Sequence, residues 1–186
     1  MAVIDRETFL SSGNVMPLVA VDLIFVRKPG EVLLQLRNKP PAEGFWSVPG
    51  GRLFKNERIK DAVSRIADFE VELTELVQSE KFHPQPLGYF EHFYDDAFAS
   101  RAYSSIHYLV LAHRIDVPPD ISLPEDDPAY QRFHWWPVSQ ALEHPSVHGY
   151  TKDYLRLLQG SSDNTGFHIS QTCPADNTRL DLSNSN

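Results

Sequence analysis

Residues 47–73 read SVPGGRLFKNERIKDAVSRIADFEVEL, a double glycine followed within a few residues by an arginine, a glutamate and a strongly periodic segment. Ile59, Ala62, Val63, Ile66, Phe69 and Leu73 recur at intervals of three and four, which predicts a helix with those six side chains on one apolar stripe. Upstream, PLVAVDLIFV (17–26) is dense in branched apolar residues and too short to favour a helix, so it reads as a buried strand. A Pro-Gly turn then leads into EVLLQLRN, where Val32, Leu34 and Leu36 face one way and Leu33, Gln35 and Arg37 the other, making a hairpin. FWSV (45–48) is a further short strand, and DRETFL (5–10) a short helix before the SSGNVMP loop.

Downstream of the helix, 87–98 and 103–117 read as two strands joined by an Asp-rich connection. The acidic, proline-bearing loop PPDISLPEDDPAYQ (118–131) precedes a short strand, RFHWWPV, and a helical VSQALEH. HGYTKDYLRLLQG (148–160) places Tyr150, Tyr154, Leu157 and Leu158 on one helix face and stops at Gly160. One helix set between hairpins predicts a mixed sheet with helices on its faces, an α/β sandwich forming a single domain over 1–160. Residues 161–186 are rich in Ser, Thr, Asn and Asp and read as a disordered polar tail.

Composition narrows the function. A formal charge of -8 over 186 residues is the wrong sign for a protein that grips a nucleic-acid backbone. Small anions need only local positive charge and stay in play. The single cysteine, Cys173, cannot form an internal disulfide, which points to a reducing compartment. The first ten residues lack the basic start and apolar core of a signal peptide, and no stretch approaches the roughly 20 apolar residues of a membrane span. The expectation is a cytoplasmic protein with neither nucleic-acid nor membrane partners.

From Gly51 the chain resembles the Nudix box, G-x5-E-x7-R-E-U-x-E-E-x-G-U with U aliphatic. Gly51, Glu57 and Arg65 fall on the first glycine, the first glutamate and the arginine; Ile66 and Phe69 occupy glutamate positions, Glu70 keeps the last one, and Glu72 replaces the closing glycine. GFWSVPGGR ahead of the box strengthens the likeness. The family's glutamates at i, i+3 and i+4 make a cage of hard oxygens for magnesium. Here the ridge reads Ile66, Phe69, Glu70, so at most one cation is implied, on Glu70 with the Gly50 carbonyl and the substrate's phosphates.

The altered box is similar to that of GDP-mannose mannosyl hydrolases, a Nudix subfamily of α/β/α-sandwich proteins, as are PLVAVDLIF, LLQLRNKPPAEGFWSVPGGR, EHFYDDAF and HYLVLAHRI. The resemblance implies a magnesium-dependent homodimer that hydrolyses a nucleotide sugar, water attacking the anomeric carbon to release GDP and the inverted hexose. Two other outcomes stay open, a diphosphate hydrolase cleaving at phosphorus and a nucleotide-sugar binding module without turnover. Asp22 is the only charge in an apolar strand and should meet sugar hydroxyls, a cation or a structural ion-pair partner. Arg37 and Arg52 suit diphosphate oxygens and a departing GDP. Arg65 is expected to pair with Glu57 in a structural role, and His92 and Tyr108 match positions that contact sugar or phosphate. The subfamily's Gln-His pair, with the histidine as general base, is missing from the acidic loop; Asp127 or Asp126 is the candidate replacement.

Overall fold

The computed structural model of the chain describes residues 12–13, 15–28, 30–94, 105–118 and 133–160. Strand β1 (Leu18–Arg27) is central, with β2 (Glu31–Leu36) antiparallel on one side and β6 (Ile106–Asp116) parallel on the other. The sheet runs β3 (Trp46–Ser47), β2, β1, β6, β5 (Gln85–Tyr94); β4 (Gly50–Arg52) also pairs with β1, and β7 (Phe133–Pro137) with β2. One parallel pairing among antiparallel ones makes the sheet mixed.

Alternation along β1 builds two cores. Val21, Leu23 and Phe25 point to one face and pack with Leu33 against Ala62, Val63, Ile66 and Ala67 of helix α1 (Ile59–Val71). Ala20 and Ile24 point to the other, joining Val32, Leu34, Phe90 and Val110 against Ala141 of α3 (Val138–Glu143) and Tyr154 and Leu155 of α4 (Gly149–Gly160). A short helix, α2 (Thr74–Gln78), follows α1. The layers are helix, sheet, helix: the α/β/α sandwich expected from the sequence.

The stripe on α1 needs correction. Its buried residues are Ala62, Val63, Ile66, Ala67 and Val71, whereas Phe69 is 84% and Ile59 44% exposed. At about 100° per residue, Ala67 and Val71 extend the buried arc to one side of Ile66, and Phe69 falls about 60° to the other. Leu73 is buried but lies beyond the helix, because Glu72 takes a left-handed conformation, φ 55° and ψ 33°, that reverses the chain. The amide of Glu72 and that of Leu73 both point at the Ala67 carbonyl there.

The 5–10 helix, the acidic loop with Asp126 and Asp127, and the tail from 161 lie outside the described residues. No helix among the described residues is long and apolar enough to cross a membrane.

Candidate active site

The double glycine positions everything else. Amide Leu23 N–H donates to the Pro49 carbonyl at 2.8 Å and Leu53 N–H to the Val19 carbonyl at 3.0 Å, so the intervening Asp22–Gly50 pair is a non-hydrogen-bonded one. Such pairs bring their residues closest together, and their carbonyls turn away from the neighbouring strand. A Cβ on Gly50 would overlap Asp22 Oδ1 and lie 3.1 Å from the Val21 carbonyl. On Gly51 it would press on Ile66 at 3.2 and 3.3 Å. Gly50 therefore makes room for the Asp22 carboxylate, and Gly51 seats α1 through Ile66. The glutamate position held by Ile66 has become a packing contact.

Arg65 ties the turn to the helix. Its Nε donates to Glu57 Oε1 at 2.6 Å, and one terminal nitrogen reaches Glu57 Oε2 and the Arg52 carbonyl, each at 2.9 Å. Amide Phe54 N–H also donates to Glu57 at 2.9 Å, and the guanidinium lies 4.2 Å over the Phe54 ring. The hydrogen bond from Arg65 holds the Glu57 carboxyl below its ordinary range.

These elements open a pocket of 590 Å³ whose lining includes Asp22, Arg37, Gly50, Gly51, Arg52, Arg65, Glu70, His92 and Tyr108. Sequence reasoning named all nine, Gly51 and Arg65 in structural roles, and the fold sets all of them around one pocket. Glu57 stands behind Arg65 rather than in the lining. Glu70 lies about 40° from Ile66 on the buried side of α1 and so faces the pocket instead of open water. Arg37 is anchored by Nε donating to the Pro41 carbonyl at 2.6 Å.

The lining is also aromatic, so cationic and aromatic side chains face one cavity. Tyr94, Tyr108, His148 and Tyr150 join His92 in the lining. The His92 ring stacks on Tyr150, 4.0 Å between centroids with planes 7° apart. Tyr150 pins α4 to β5: its hydroxyl accepts from Phe93 N–H at 2.8 Å and donates to the Phe93 carbonyl at 2.9 Å. Beneath them Tyr154 donates to Asp22 Oδ2 at 2.8 Å and lies 3.0 Å from His92 Nε2. Desolvation raises the Asp22 carboxyl to about 6, against smaller opposite effects of the Tyr154 bond and Arg37. It pushes His92 down to about 3, so the imidazole is neutral.

Tyr94, His148, Tyr150 and Tyr154 were missed as site residues. A signal existed in HGYTKDY: two tyrosines four apart on an apolar face carry hydroxyls that need partners once buried. Among the described residues no cluster of three or more His, Cys, Asp or Glu is placed to hold a metal ion. Glu70, Asp22 and Gly50 are among the lining residues, and carboxylate and carbonyl oxygens are hard donors suited to a magnesium ion whose coordination a ligand's phosphates complete.

Comparison with known proteins agrees with this architecture. The NUDIX domain model matches residues 16–158. The low-salt glycan biosynthesis protein Agl8 of Haloferax volcanii is 40% identical over 143 residues, covering 77% of this chain and 83% of that protein. Among solved structures, a MutT NUDIX hydrolase from Burkholderia pseudomallei superposes with a TM-score of 0.57 at 20% identity, over 77% of this chain and 98% of that one. An Ap4A hydrolase from C. elegans gives 0.55 at 18%, over 78% and 98%. The structural likenesses concern the fold; the match from 16 to 158 runs from the approach to β1 to the last helix, and the chain belongs to the NUDIX domain family.

Proposed function

We propose that the chain hydrolyses a GDP-sugar of the GDP-mannose type, water attacking the anomeric carbon and GDP departing. The observation that carries this reading is the pocket's mixed lining. Arg37 and Arg52 line the same cavity as Glu70, Gly50 and Asp22 and the aromatic side chains of His92, Tyr94, Tyr108 and Tyr150. Guanidinium forks suit diphosphate oxygens and the charge that grows on a leaving GDP. Aromatic faces and a carboxylate suit a hexose, and negative charge from Asp22 would oppose the positive charge that develops on a sugar ring as its glycosidic bond breaks. The Agl8 relative, named for glycan biosynthesis, supports a sugar-bearing substrate.

Glu70 and the Gly50 carbonyl would hold magnesium, with Asp22 at the margin of that donor set. When bound, the ion would neutralise the diphosphate. Ile66 is buried against Gly51 and Phe69 faces solvent, so neither position contributes a ligand, and the sparse carboxylates favour attack at carbon over attack at phosphorus. Asp127, assigned as the base that replaces the subfamily's histidine, belongs to this reading as a proposal, and so does the homodimer.

The test is to incubate the protein with GDP-mannose and magnesium in oxygen-18 water. Label in the sugar is expected; label in phosphate would assign cleavage at phosphorus, and binding without turnover would assign a binding module. Glu70→Gln should abolish the magnesium dependence of both binding and turnover, and a variant indistinguishable from the parent would remove the metal assignment.

A further inference from the structure

We propose that Tyr154 is the positioning residue of the pocket: its one hydroxyl holds Asp22 by Oδ2 and His92 by Nε2, fixing the carboxylate oxygen and the imidazole tautomer that a sugar meets. Its ligand arm rests on the nucleotide-sugar reading; its tautomer arm does not.

Tyr154 is fully buried, and its ring meets Phe90 edge-on at 4.6 Å with planes 90° apart, so the hydroxyl has little freedom to swing away. A phenol carries one hydrogen and an ionised carboxylate can only accept. With 2.8 Å to Asp22 Oδ2, that hydrogen goes to the carboxylate, and the 3.0 Å contact with His92 must be an Nε2–H donating to the tyrosine oxygen. An ordinary phenol ionises only at about pH 10, so at pH 8 Tyr154 keeps its hydrogen and remains a donor. His92, neutral and flat against Tyr150, is left with Nδ1 as its lone-pair nitrogen.

The same bond sets Asp22. Oδ2 is engaged from behind by Tyr154, and Oδ1 lies over Gly50, in the space that any other residue's Cβ would fill. The carboxylate is gripped on one side and accommodated on the other, which leaves Oδ1 as the oxygen offered to a ligand. A hexose, whose hydroxyls are donors, would then meet two acceptors held in fixed orientation. Pre-set acceptors reduce the ordering cost of binding and discriminate among stereoisomers of a sugar.

The wild type can be tested without any variant. Nitrogen-15 shifts of the histidine side chains at pH 8, with His92 assigned by comparison with His92→Gln, should show the proton on Nε2; a proton on Nδ1 overturns the proposal. Tyr154→Phe keeps the ring that packs on Phe90. Its His92 signals should move toward a tautomer mixture, and affinity for GDP-mannose should fall at least tenfold while affinity for GDP changes less than twofold. Equal losses for the two ligands, or none, would refute positioning toward the sugar. If Tyr154→Phe does not fold, the wild-type tautomer decides alone. If the wild type binds neither ligand, the nucleotide-sugar reading falls while the tautomer still tests the hydroxyl's role.

Discussion

Replacing Asp22 by Asn should stabilise the protein at neutral pH and leave it unchanged in acid. Burial raises the Asp22 carboxyl from 3.8 to about 6. A folded-state value above the unfolded one means that the native state holds the proton more tightly, so stability falls as pH rises from roughly 4 to 6. Each unit is worth about 1.36 kcal/mol, and a shift of about two units sets the cost of ionised Asp22 near 3 kcal/mol. Asparagine cannot ionise, yet its carbonyl can still accept from Tyr154, so Asp22→Asn should gain about 2–3 kcal/mol at pH 7.5 and nothing near pH 4. At roughly 2–4 °C per kcal/mol for a chain of this size, that is a rise of about 5–10 °C in Tm. The assay is urea unfolding followed by tryptophan fluorescence, in metal-free buffer, for parent and variant from pH 4 to 7.5. A difference that does not change with pH, or a variant less stable at pH 7.5, would refute the reasoning. Saturating nucleotide sugar should shrink the gap, because the ligand stabilises the parent that binds it.

Glu72→Gly should stabilise the fold by about 1 kcal/mol, since a non-glycine residue at φ 55° bears the strain of the left-handed region; thermal unfolding reads it as a rise of a few degrees. Gly50→Ala should lose at least tenfold in ligand affinity by calorimetry, because the new methyl displaces Asp22 Oδ1, and should cost about 1–3 kcal/mol in stability. Arg65→Gln should cost about 2 kcal/mol by denaturant unfolding at pH 7, as the charge-assisted bonds to Glu57 are lost. Glu57 sits below its ordinary range, so its contribution is fully present above its unfolded value of 4.5 and disappears as pH falls through the lower folded one; the Arg65→Gln penalty should narrow in acid.

Most of the sheet could be read in the sequence because its signal is local. Two-residue alternation in β1 and β2 and the Pro-Gly turn between them depend on neighbouring residues only. The three- and four-residue spacing on α1 was read correctly as a helix but rotated, since apolar residues lie on both sides of Ile66 and only the sheet decides which side is covered. Phe69 is apolar without being buried. The part of the site around the double glycine was legible for the same reason as the strands: Arg37, Gly50, Gly51, Arg52, Arg65 and Glu70 lie within or near one contiguous motif. Of the aromatic lining only His92 and Tyr108 were named in advance. Tyr150 and Tyr154 meet Phe93, His92 and Asp22 across separations of 57, 62 and 132 residues, and no spacing rule reaches that far.

The bond pair between Tyr150 and the Phe93 backbone has a consequence for solubility. Among the described residues β5 is the outermost strand on its side of the sheet, and the outer backbone of such a strand is a template on which a foreign strand could grow. By satisfying both groups of Phe93 with one hydroxyl, α4 blunts that template beside the pocket. A second chain pairing at Phe93 would first have to displace the Tyr150 hydroxyl, and Tyr150 also lines the ligand cavity.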